Sequence, residues 1–464
     1  MQKYLGNVAG IALILTTLCG DSVLAQVENG GLSNGPDVVL SDAPDGRLWG
    51  AVGGKFGYSF GSHTCNIGDV ALEFGTSFNR SPALAMNAYR MMDGRLVQIG
   101  ASWIKGACCA AQSNGCGLGC VSASGRLGAG CLDVYSAGWN GGQSRMGPRS
   151  AINAFTGEQP FPPSDSGDAI HKRLQIEQAD IVAGNDVGAM FLIEGVYVGR
   201  DDAPAGNALN NASYKRTTLA NGGTMSPTGP MVVGEAAIYA WRDHGLGVNM
   251  PDPSVTIVEV DVPSEGRFVA GYKVTDNLDG TWTYDYAVFN LNSDRAGGSF
   301  SVPVPASANI TGIGFHDVNR HSGEPIDSTD WIVDTSNGAI TWASPQTHAQ
   351  NPASNYLEWG TMYNFWFTAD AGPEEGDVTL GLFKPGTPDS VSFTAAAPAG
   401  GLLGDMNCDG LISVSDIGPF VLALTDPAGY ALQLPNCDIN NGDINGDDLV
   451  SVGDIGAFVA LLTN

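Results

Sequence analysis

One Asp-rich segment occurs twice near the C-terminus, and it constrains the fold more than any other feature of the sequence. The first copy, 404–416, reads GDMNCDGLISVSD, and the second copy, 442–454, reads GDINGDDLVSVGD. The aspartates that open and close the two copies are displaced by the same 38 residues (443 − 405 and 454 − 416). A repeat that keeps its register over its whole length indicates two copies of one structural unit.

Each copy places oxygen-bearing residues where a hard cation needs them. A 12-residue calcium loop uses side-chain oxygens at positions 1, 3, 5, 9 and 12 and a backbone carbonyl at position 7. The sequence therefore predicts two calcium ions, held by Asp405, Asn407, Asp409, Leu411 (carbonyl), Ser413 and Asp416 in the first loop and by Asp443, Asn445, Asp447, Leu449 (carbonyl), Ser451 and Asp454 in the second.

A helix is predicted directly after each loop. Apolar residues recur at i, i+3, i+4 and i+7, which places them on one helix face. Pro419 lies in the first turn, where a missing backbone N–H costs little. We expect one helix per loop, with a buried face made of Ile417, Phe420, Val421 and Leu424 in the first copy and of Ile455, Phe458, Val459 and Leu462 in the second.

This duplicated unit of a loop and one helix resembles the type I dockerin, a calcium-folded module that docks onto cohesin domains. The resemblance covers about residues 403–464. It implies a small all-α calcium-binding module and a cohesin-like protein partner. The family's partner-contacting positions, 10 and 11 of each loop, correspond to Val414, Ser415, Val452 and Gly453.

The second loop departs from the family pattern at position 6, where a left-handed turn favours glycine. The first loop has Gly410 and the second has Asp448. Because Asp tolerates the left-handed conformation better than most residues, we expect the second site to bind calcium more weakly than the first.

The tail is also unusually acidic. Residues 403–464 contain nine Asp and no Lys, Arg or Glu, so calcium is expected to be their folding partner. Cys408 and Cys437 flank the interior of this segment, and we predict a disulfide between them.

The N-terminus has the pattern of a secretory signal peptide over residues 1–25. Lys3 precedes an apolar run, 8–18, that is too short to span a membrane, and 23–25 (Val-Leu-Ala) favours cleavage before Gln26. Cys19 leaves open a lipoprotein, although Leu18 before it is larger than such a site prefers. No later stretch is predicted to span a membrane, so the mature protein is expected outside the cell or at its surface.

Disulfides are the default for the other cysteines of a secreted chain. Eight of nine remain after Cys19. Besides Cys408 and Cys437, six lie in one front segment, five of them in a Cys- and Gly-rich loop at 106–147, and allow fifteen connectivities: Cys65, Cys108, Cys109, Cys116, Cys120 and Cys131. A zinc site around Cys116 and Cys120 is the alternative.

Composition favours β architecture and excludes some partners. The 64 glycines and 25 prolines indicate many turns. A formal charge of −27 argues against nucleic acid and anionic membranes as partners. We expect a mainly β protein with one or two antiparallel sandwich-like modules followed by the small helical tail.

The predicted organisation has a leader or tether at 26–45, a β-rich module at 46–250, a β-sandwich at 251–395 and a linker at 396–402. In the first module we predict a short helix over 82–92 and a strand over 96–104. Strands are also expected at 173–181, 189–198 and 231–241, with a polar loop at 207–214.

The evidence for the sandwich is a period-2 pattern with turn signals. Asp279-Gly280 and Asn337-Gly338 are favoured hairpin turns. Aromatic and β-branched residues alternate with others after the first turn, at Trp282, Tyr284, Tyr286 and Val288. Further strands are predicted at 362–367, 378–383 and 390–394, which is typical of an antiparallel sandwich.

No established catalytic motif is present, so the candidates for chemistry are groups of suitable side chains. The segment 315–325 (FHDVNRHSGEP) could ligate a metal or act in acid–base chemistry, but loop capping by hydrogen bonds is the favoured interpretation. Carboxylates bordering predicted strands are candidates for glycoside hydrolysis: Glu177, Asp180, Glu194, Asp201 and Asp202. Trp282, Trp342, Trp359 and Trp366 are either core residues or a sugar-stacking platform.

The favoured hypothesis is a secreted modular protein whose β-rich modules bind or structure something outside the cell, such as a polysaccharide, while the calcium-dependent tail docks onto a cohesin-like partner. Catalytic residues are not identified. The alternative is a carbohydrate-active enzyme that hydrolyses glycosidic bonds, because dockerins usually accompany polysaccharide-degrading modules. A purely structural surface-layer component is a third possibility.

Overall fold

The computed structural model describes residues 32–305, 308–399, 403–409, 411–434, 437–447 and 449–463. The predicted signal peptide, residues 26–31 of the predicted leader, residues 400–402 of the linker and the two position-6 residues, Gly410 and Asp448, lie outside these ranges. No helix in the described ranges is long and apolar enough to cross a membrane.

The described chain is mainly β, as predicted. Its strands are β1 Val38–Asp42, β2 Gly46–Val52, β3 Lys55–Phe60, β4 Ser62–Asn66, β5 Leu72–Glu73, β6 Ala83–Met92, β7 Arg95–Gly106, β8 Arg126–Leu127, β9 Leu132–Tyr135, β10 Met146–Gly147, β11 Leu174–Glu177, β12 Met190–Val198, β13 Ala212–Leu219, β14 Met225–Val232, β15 Thr256–Asp261, β16 Arg267–Asp276, β17 Trp282–Asn290, β18 Gly297–Pro303, β19 Ile310–His316, β20 Ile332–Asp334, β21 Ala339–Ala343, β22 Met362–Ala369, β23 Pro373–Leu382 and β24 Ser390–Pro398.

The helices are short. The α-helices are α1 Ala137–Asn140, α2 Gln178–Val187, α3 Asp202–Ala205, α4 Tyr239–Asp243, α5 Ile417–Thr425, α6 Pro427–Gln433 and α7 Ile455–Leu462. Single 3-10 turns occur at Phe78–Arg80, Arg149–Ala151, Ala208–Asn210, Val414–Asp416, Ile439–Gly442 and Val452–Asp454.

The strands between 256 and 398 form the antiparallel sandwich that the period-2 pattern predicts, and its last strand runs three residues into the predicted linker, to Pro398. One sheet has the order β15-β16-β17-β22-β19 and the other β20-β21-β18-β23-β24. Aromatic residues of the two sheets meet in the core, where the rings of Phe300 and Phe365 lie 4.4 Å apart. Asn337 and Gly338 both adopt positive φ, as a two-residue hairpin turn between β20 and β21 requires.

The front unit (32–250) is built on one nine-stranded sheet of order β14-β13-β12-β6-β7-β11-β3-β2, with β10 also paired to β7. Both faces of this sheet are buried. Along β12, Phe191 and Ile193 belong to the core on one face, whereas Leu192 belongs to the core on the other. The first core also contains residues of β1, which pairs with β4 and β9 in a small three-stranded sheet.

The helix predicted over 82–92 is wrong. These residues form β6, which pairs with β7 on one side and β12 on the other. A central strand covered on both faces is apolar throughout and lacks the alternation that would mark it as a strand.

Two of the predicted strands also end earlier than expected. The strand predicted over 173–181 stops at Glu177, where α2 begins, and the segment 231–241 leaves β14 at Val232 and enters α4. The strand predicted over 96–104 lies within β7, and the one over 189–198 matches β12. In the leader, residues 38–42 form β1, which is largely buried in the front unit.

The front unit and the sandwich share one core across the proline-rich segment at 250–253. Trp241 of α4 lies in the same buried group as Val269, Phe289 and Met362 of the sandwich. Buried hydrogen bonds also cross between them, including one of 2.7 Å from the Met362 backbone N–H to Gln98 Oε1. The two parts therefore pack as one body.

Candidate metal-binding and docking site

The two Asp-rich loops of the tail module (403–463) have the same internal bonding. In the first loop, Asp416 Oδ1 accepts the backbone N–H groups of Met406 (2.8 Å) and Asn407 (3.0 Å), and its Oδ2 accepts that of Ser413 (2.8 Å). Position 12 thus reaches back to positions 2 and 3 and closes the loop.

The second loop repeats these bonds one for one. Asp454 Oδ1 accepts the N–H groups of Ile444 (2.9 Å) and Asn445 (3.0 Å), and Oδ2 accepts that of Ser451 (2.9 Å). The repeat in the sequence is therefore a repeat in structure.

The side chains at positions 1, 3 and 5 are held by backbone N–H groups of their own loop. The Asp409 N–H donates to Asp405 Oδ1 (3.2 Å) and Asn407 Oδ1 (2.9 Å), and the Leu411 N–H donates to Asp409 Oδ1 (3.0 Å). The equivalent bonds in the second loop fix Asp443, Asn445 and Asp447. The predicted ligands of each loop are thus brought together around one turn.

Acidic groups are concentrated around a small core. Asp405, Asp416 and Asp454 are buried. Burial, together with the negative charges of Asp438, Asp405 and Asp416, raises the pKa of Tyr430 to about 12. The aspartates therefore give the tail a negative electrostatic potential, which a bound cation would reduce.

The donor set suits calcium in its chemistry. Each loop offers carboxylate, amide, hydroxyl and carbonyl oxygens, the types that Ca²⁺ takes. In the described part of the chain, no three His, Cys, Asp and Glu side chains converge as a metal centre. A cation at either loop would therefore need Asn, Ser and carbonyl oxygens besides the carboxylates.

The predicted partner-contacting residues lie at the surface, together with apolar neighbours that were expected to be buried. Val414 and Val452 are 78% and 77% exposed, Ile417 and Ile455 are both 44% exposed, and Val421 and Val459 are 50% and 51% exposed. Ser415 and Gly453 are also exposed. Of the predicted buried faces, Phe420 and Phe458 alone are fully buried, and their rings stack 4.2 Å apart.

The tail contains one helix more than predicted. After α5, the short α6 begins at Pro427, with Asp426 as its N-cap and the Asp426 carboxylate accepting the Gly429 N–H at 3.0 Å. The predicted disulfide between Cys408 and Cys437 is present and links the first loop to the segment before the second.

The six front cysteines are all paired, so none offers a thiolate to zinc. The disulfides are Cys65–Cys116, Cys120–Cys131 and, between neighbours, Cys108–Cys109. The first two hold the Gly-rich stretch against β4 and the start of β9.

The segment 315–325 joins the sandwich to the front unit, which supports the hydrogen-bonding interpretation. His316 Nε2 donates to the Gln98 carbonyl (3.0 Å), and Glu324 accepts the Arg149 N–H (2.8 Å) and the Ser150 hydroxyl (2.6 Å). Burial lowers the pKa of His321 to about 3, against the opposing effect of the carbonyls of Ile170 and Arg173. This side chain lies against Trp103, with ring centroids 5.8 Å apart.

The carboxylates considered for glycoside hydrolysis are engaged within the fold. Their partners are Lys55 for Glu177, Arg90 for Asp180, Tyr89 and Ala237 for Glu194, Glu73 for Asp201, and Val38 and Asn211 for Asp202. Burial raises the pKa of Glu194 and of Asp202. Each of these carboxylates therefore takes part in an ion pair or a hydrogen bond within the fold.

The four tryptophans do not form one strip. Trp342 and Trp359 are buried, and Trp282 and Trp366 are half-buried. The guanidinium of Arg95 lies 4.0 Å above the Trp366 ring and pairs with Asp285. One of the half-buried rings is thus already covered by a cation from the front unit.

Sequence reasoning missed a buried network of charged side chains near the contact between the sandwich and the front unit. Arg320 pairs with Glu358 at 2.8 Å, and both side chains are buried. Burial and the neighbouring Glu324 raise the pKa of Glu358 to about 7, although Arg320 and Arg149 oppose that rise. Arg320 and Glu358 lie beside strongly apolar strands in the sequence. Because charged side chains are buried almost only in pairs, this position could have indicated a buried ion pair.

In comparisons with known proteins, no family model matches this chain and no curated protein is significantly similar to it.

Proposed function

We propose that this is a secreted modular protein whose tail module binds two calcium ions and docks onto a cohesin-like partner. Its β-rich body has a binding or structural role at the partner's location, with polysaccharide as the expected ligand class. The proposal rests on the duplicated exposed faces of the tail.

Each copy of the repeat presents the same apolar residues to solvent. The exposed face of the first copy contains Val414, Ile417 and Val421. The exposed face of the second copy contains Val452, Ile455 and Val459, and each residue is nearly as exposed as its equivalent in the first copy. Contiguous exposed apolar side chains are characteristic of protein–protein contacts. Because the two faces are equivalent, either can receive the partner.

Calcium has a clear physical role in this proposal. Nine aspartates in a short segment without Lys, Arg or Glu repel one another, and three of them are buried. Divalent cations at the two loops would offset this repulsion and order the apolar faces. The Asp405 and Asp443 carboxylates would hold one ion each, with the other oxygens of their loops.

Secretion is supported by the signal-peptide pattern and by the four disulfides, which are typical of oxidising compartments.

Calorimetric titration of the chelator-treated full chain with Ca²⁺ tests the metal assignment. We expect two ions for the wild type and one for Asp405→Asn or Asp443→Asn, because Asn keeps the loop hydrogen bond but removes the charge. Asp426→Asn is the matched control, since Asn also caps a helix and residue 426 lies outside both loops. Absence of calcium-dependent heat in the wild type would refute the metal assignment.

Docking is tested by binding of the calcium-loaded chain to an immobilised type I cohesin domain. Val414→Asp or Val452→Asp alone should weaken binding only a few-fold, because the other face remains. The double variant should bind at least a hundredfold more weakly. Leu432→Asp, an exposed apolar residue on α6 outside both faces, is the control. Unchanged binding by a folded double variant would contradict the proposal.

A further inference from the structure

A cleft of about 510 Å³ indents the front unit at the edge of its large sheet. Its wall includes parts of β6, β12 and β13, the C-terminal end of α2, and residues 244–248. The volume lies within the range of pockets that hold small organic molecules.

Arg216 lines this cleft, and its guanidinium has no ion pair or hydrogen bond to any residue that the structure describes. In a chain with 48 acidic and 21 basic residues, a cation left unpaired is unusual. Most other arginines of the front unit are engaged, as Arg90 is with Asp180 and Arg173 is with the carbonyls of Gly141 and Ala169.

The backbone makes room for this guanidinium. The register of β13 against β14 shifts between Lys215 and Arg216, and such a bulge redirects a side chain. Opposite it, Gly229 adopts a φ of +74°, and a Cβ there would lie 2.7 Å from Arg216 Nη2. The positive φ favours glycine at this position of β14, and the absence of a side chain leaves the space that the Arg216 guanidinium occupies.

A second donor lies in the same cleft. His244 Nδ1 accepts the Asn249 N–H at 2.9 Å, so the neutral ring carries its proton on Nε2. Burial lowers the pKa of His244; the negative charge of Asp243 opposes this effect, and the charge of Arg216 adds to it. The imidazole is therefore neutral at pH 7 and can donate one hydrogen bond.

The rest of the wall combines apolar side chains with Asn185 and three threonines. Met91, Met190 and Phe191 line it, and Val187 and Val248 are exposed at its rim. Asp93 also lines the cleft, which disfavours a ligand with two negative charges. A single planar guanidinium beside one neutral donor matches a carboxylate, which takes two parallel hydrogen bonds.

We propose that this cleft binds a small organic carboxylate whose acid group pairs with Arg216 and whose apolar body or face lies against the methionine and phenylalanine wall. This site is separate from the tail and adds a ligand-binding function to the β-rich body.

The test is calorimetric titration of the full chain with hexanoate and, separately, with D-glucuronate, which distinguish a fatty-acid-like ligand from a sugar acid. We expect one saturable site for at least one of them and binding at least tenfold weaker for the matched neutral compound, hexan-1-ol or D-glucose. Arg216→Gln should weaken binding at least tenfold, and Arg216→Lys, which keeps the charge but loses the fork, should weaken it less.

Arg200→Gln is the matched control, because Arg200 is exposed and does not line the cleft. It should bind as the wild type does. The proposal is overturned if neither carboxylate binds saturably, if the neutral compound binds as tightly, or if a folded Arg216→Gln variant keeps wild-type affinity.

Discussion

Replacing Arg149 with alanine should destabilise the whole body formed by the front unit and the sandwich. Its guanidinium is buried and donates to the carbonyls of Ser102 (2.7 Å), Gly360 (2.8 Å) and Met86 (3.0 Å) and to Asn87 Oδ1 (2.8 Å). Gly360 belongs to the sandwich and the other three to the front unit. One side chain therefore ties the two parts together.

The magnitude follows from what the substitution leaves behind. Four buried oxygens lose a charged donor, and the cation that offsets Glu358 and Glu194 disappears. Removing one partner from a buried charged network costs about 3–5 kcal/mol. That is a large fraction of the 5–15 kcal/mol that typically separates folded from unfolded domains.

The assay is guanidinium chloride unfolding at pH 7 with excess calcium, followed by tryptophan fluorescence. Because the two parts share one core, we expect a single transition that moves to lower denaturant in Arg149→Ala. Arg80→Ala, which removes an exposed pair with Glu73, should leave the curve unchanged. A loss under about 1 kcal/mol, or two transitions of which one stays in place, would refute the reasoning.

Three further predictions concern the disulfides and one histidine. Replacing both Cys408 and Cys437 with serine should destabilise the tail by roughly 3–4 kcal/mol, from the loop of 29 residues that the bond closes, and raise the calcium concentration needed to order it. Thiol titration of the denatured, unreduced mature protein should find essentially no thiol, and several would contradict the pairing. Since the folded pKa of His321 is about 3, below the ordinary 6.5, stability is present above pH 6.5 and is lost as pH falls toward 3. His321→Phe should remove roughly 2–3 kcal/mol of the loss between pH 7 and 4.5, measured by chemical unfolding; an equal loss in both proteins would refute it.

The features that local sequence determines were predictable. The repeated bonding of the two Asp-rich loops, the turn at Asn337-Gly338 and the alternation in β17 all involve neighbours in the chain. The helices α2 and α6 were predictable in part, since Gly188 ends α2 in a left-handed conformation and Asp426-Pro427 opens α6. The sequence pattern instead predicted a strand over 173–181, where α2 begins, and a single helix after the first loop, where α6 follows α5.

Features that depend on distant residues were not predictable. β6 lies in the centre of the sheet, between β7 and β12, and both of its faces are buried. Its sequence is therefore apolar on both faces and lacks the alternation that marks a half-exposed strand. Likewise, Arg149 meets Gly360 across 211 positions of the chain. The segment 315–325 was recognised as unusual, but its role at a junction depended on partners in the front unit.

The two tail repeats differ at some equivalent positions and are identical at others. Some buried or partly buried positions differ between the copies, as Met406 and Ile444 or Ile412 and Val450 do, whereas the stacked pair Phe420 and Phe458 is unchanged. The exposed apolar residues instead recur unchanged, as Leu411 and Leu449, Val414 and Val452, Ile417 and Ile455, and Val421 and Val459. Packing alone would restrain the buried positions more than the exposed ones. Under the proposed function, a partner that recognises these exposed side chains would account for their identity in the two copies and for the presence of two equivalent faces on one small module.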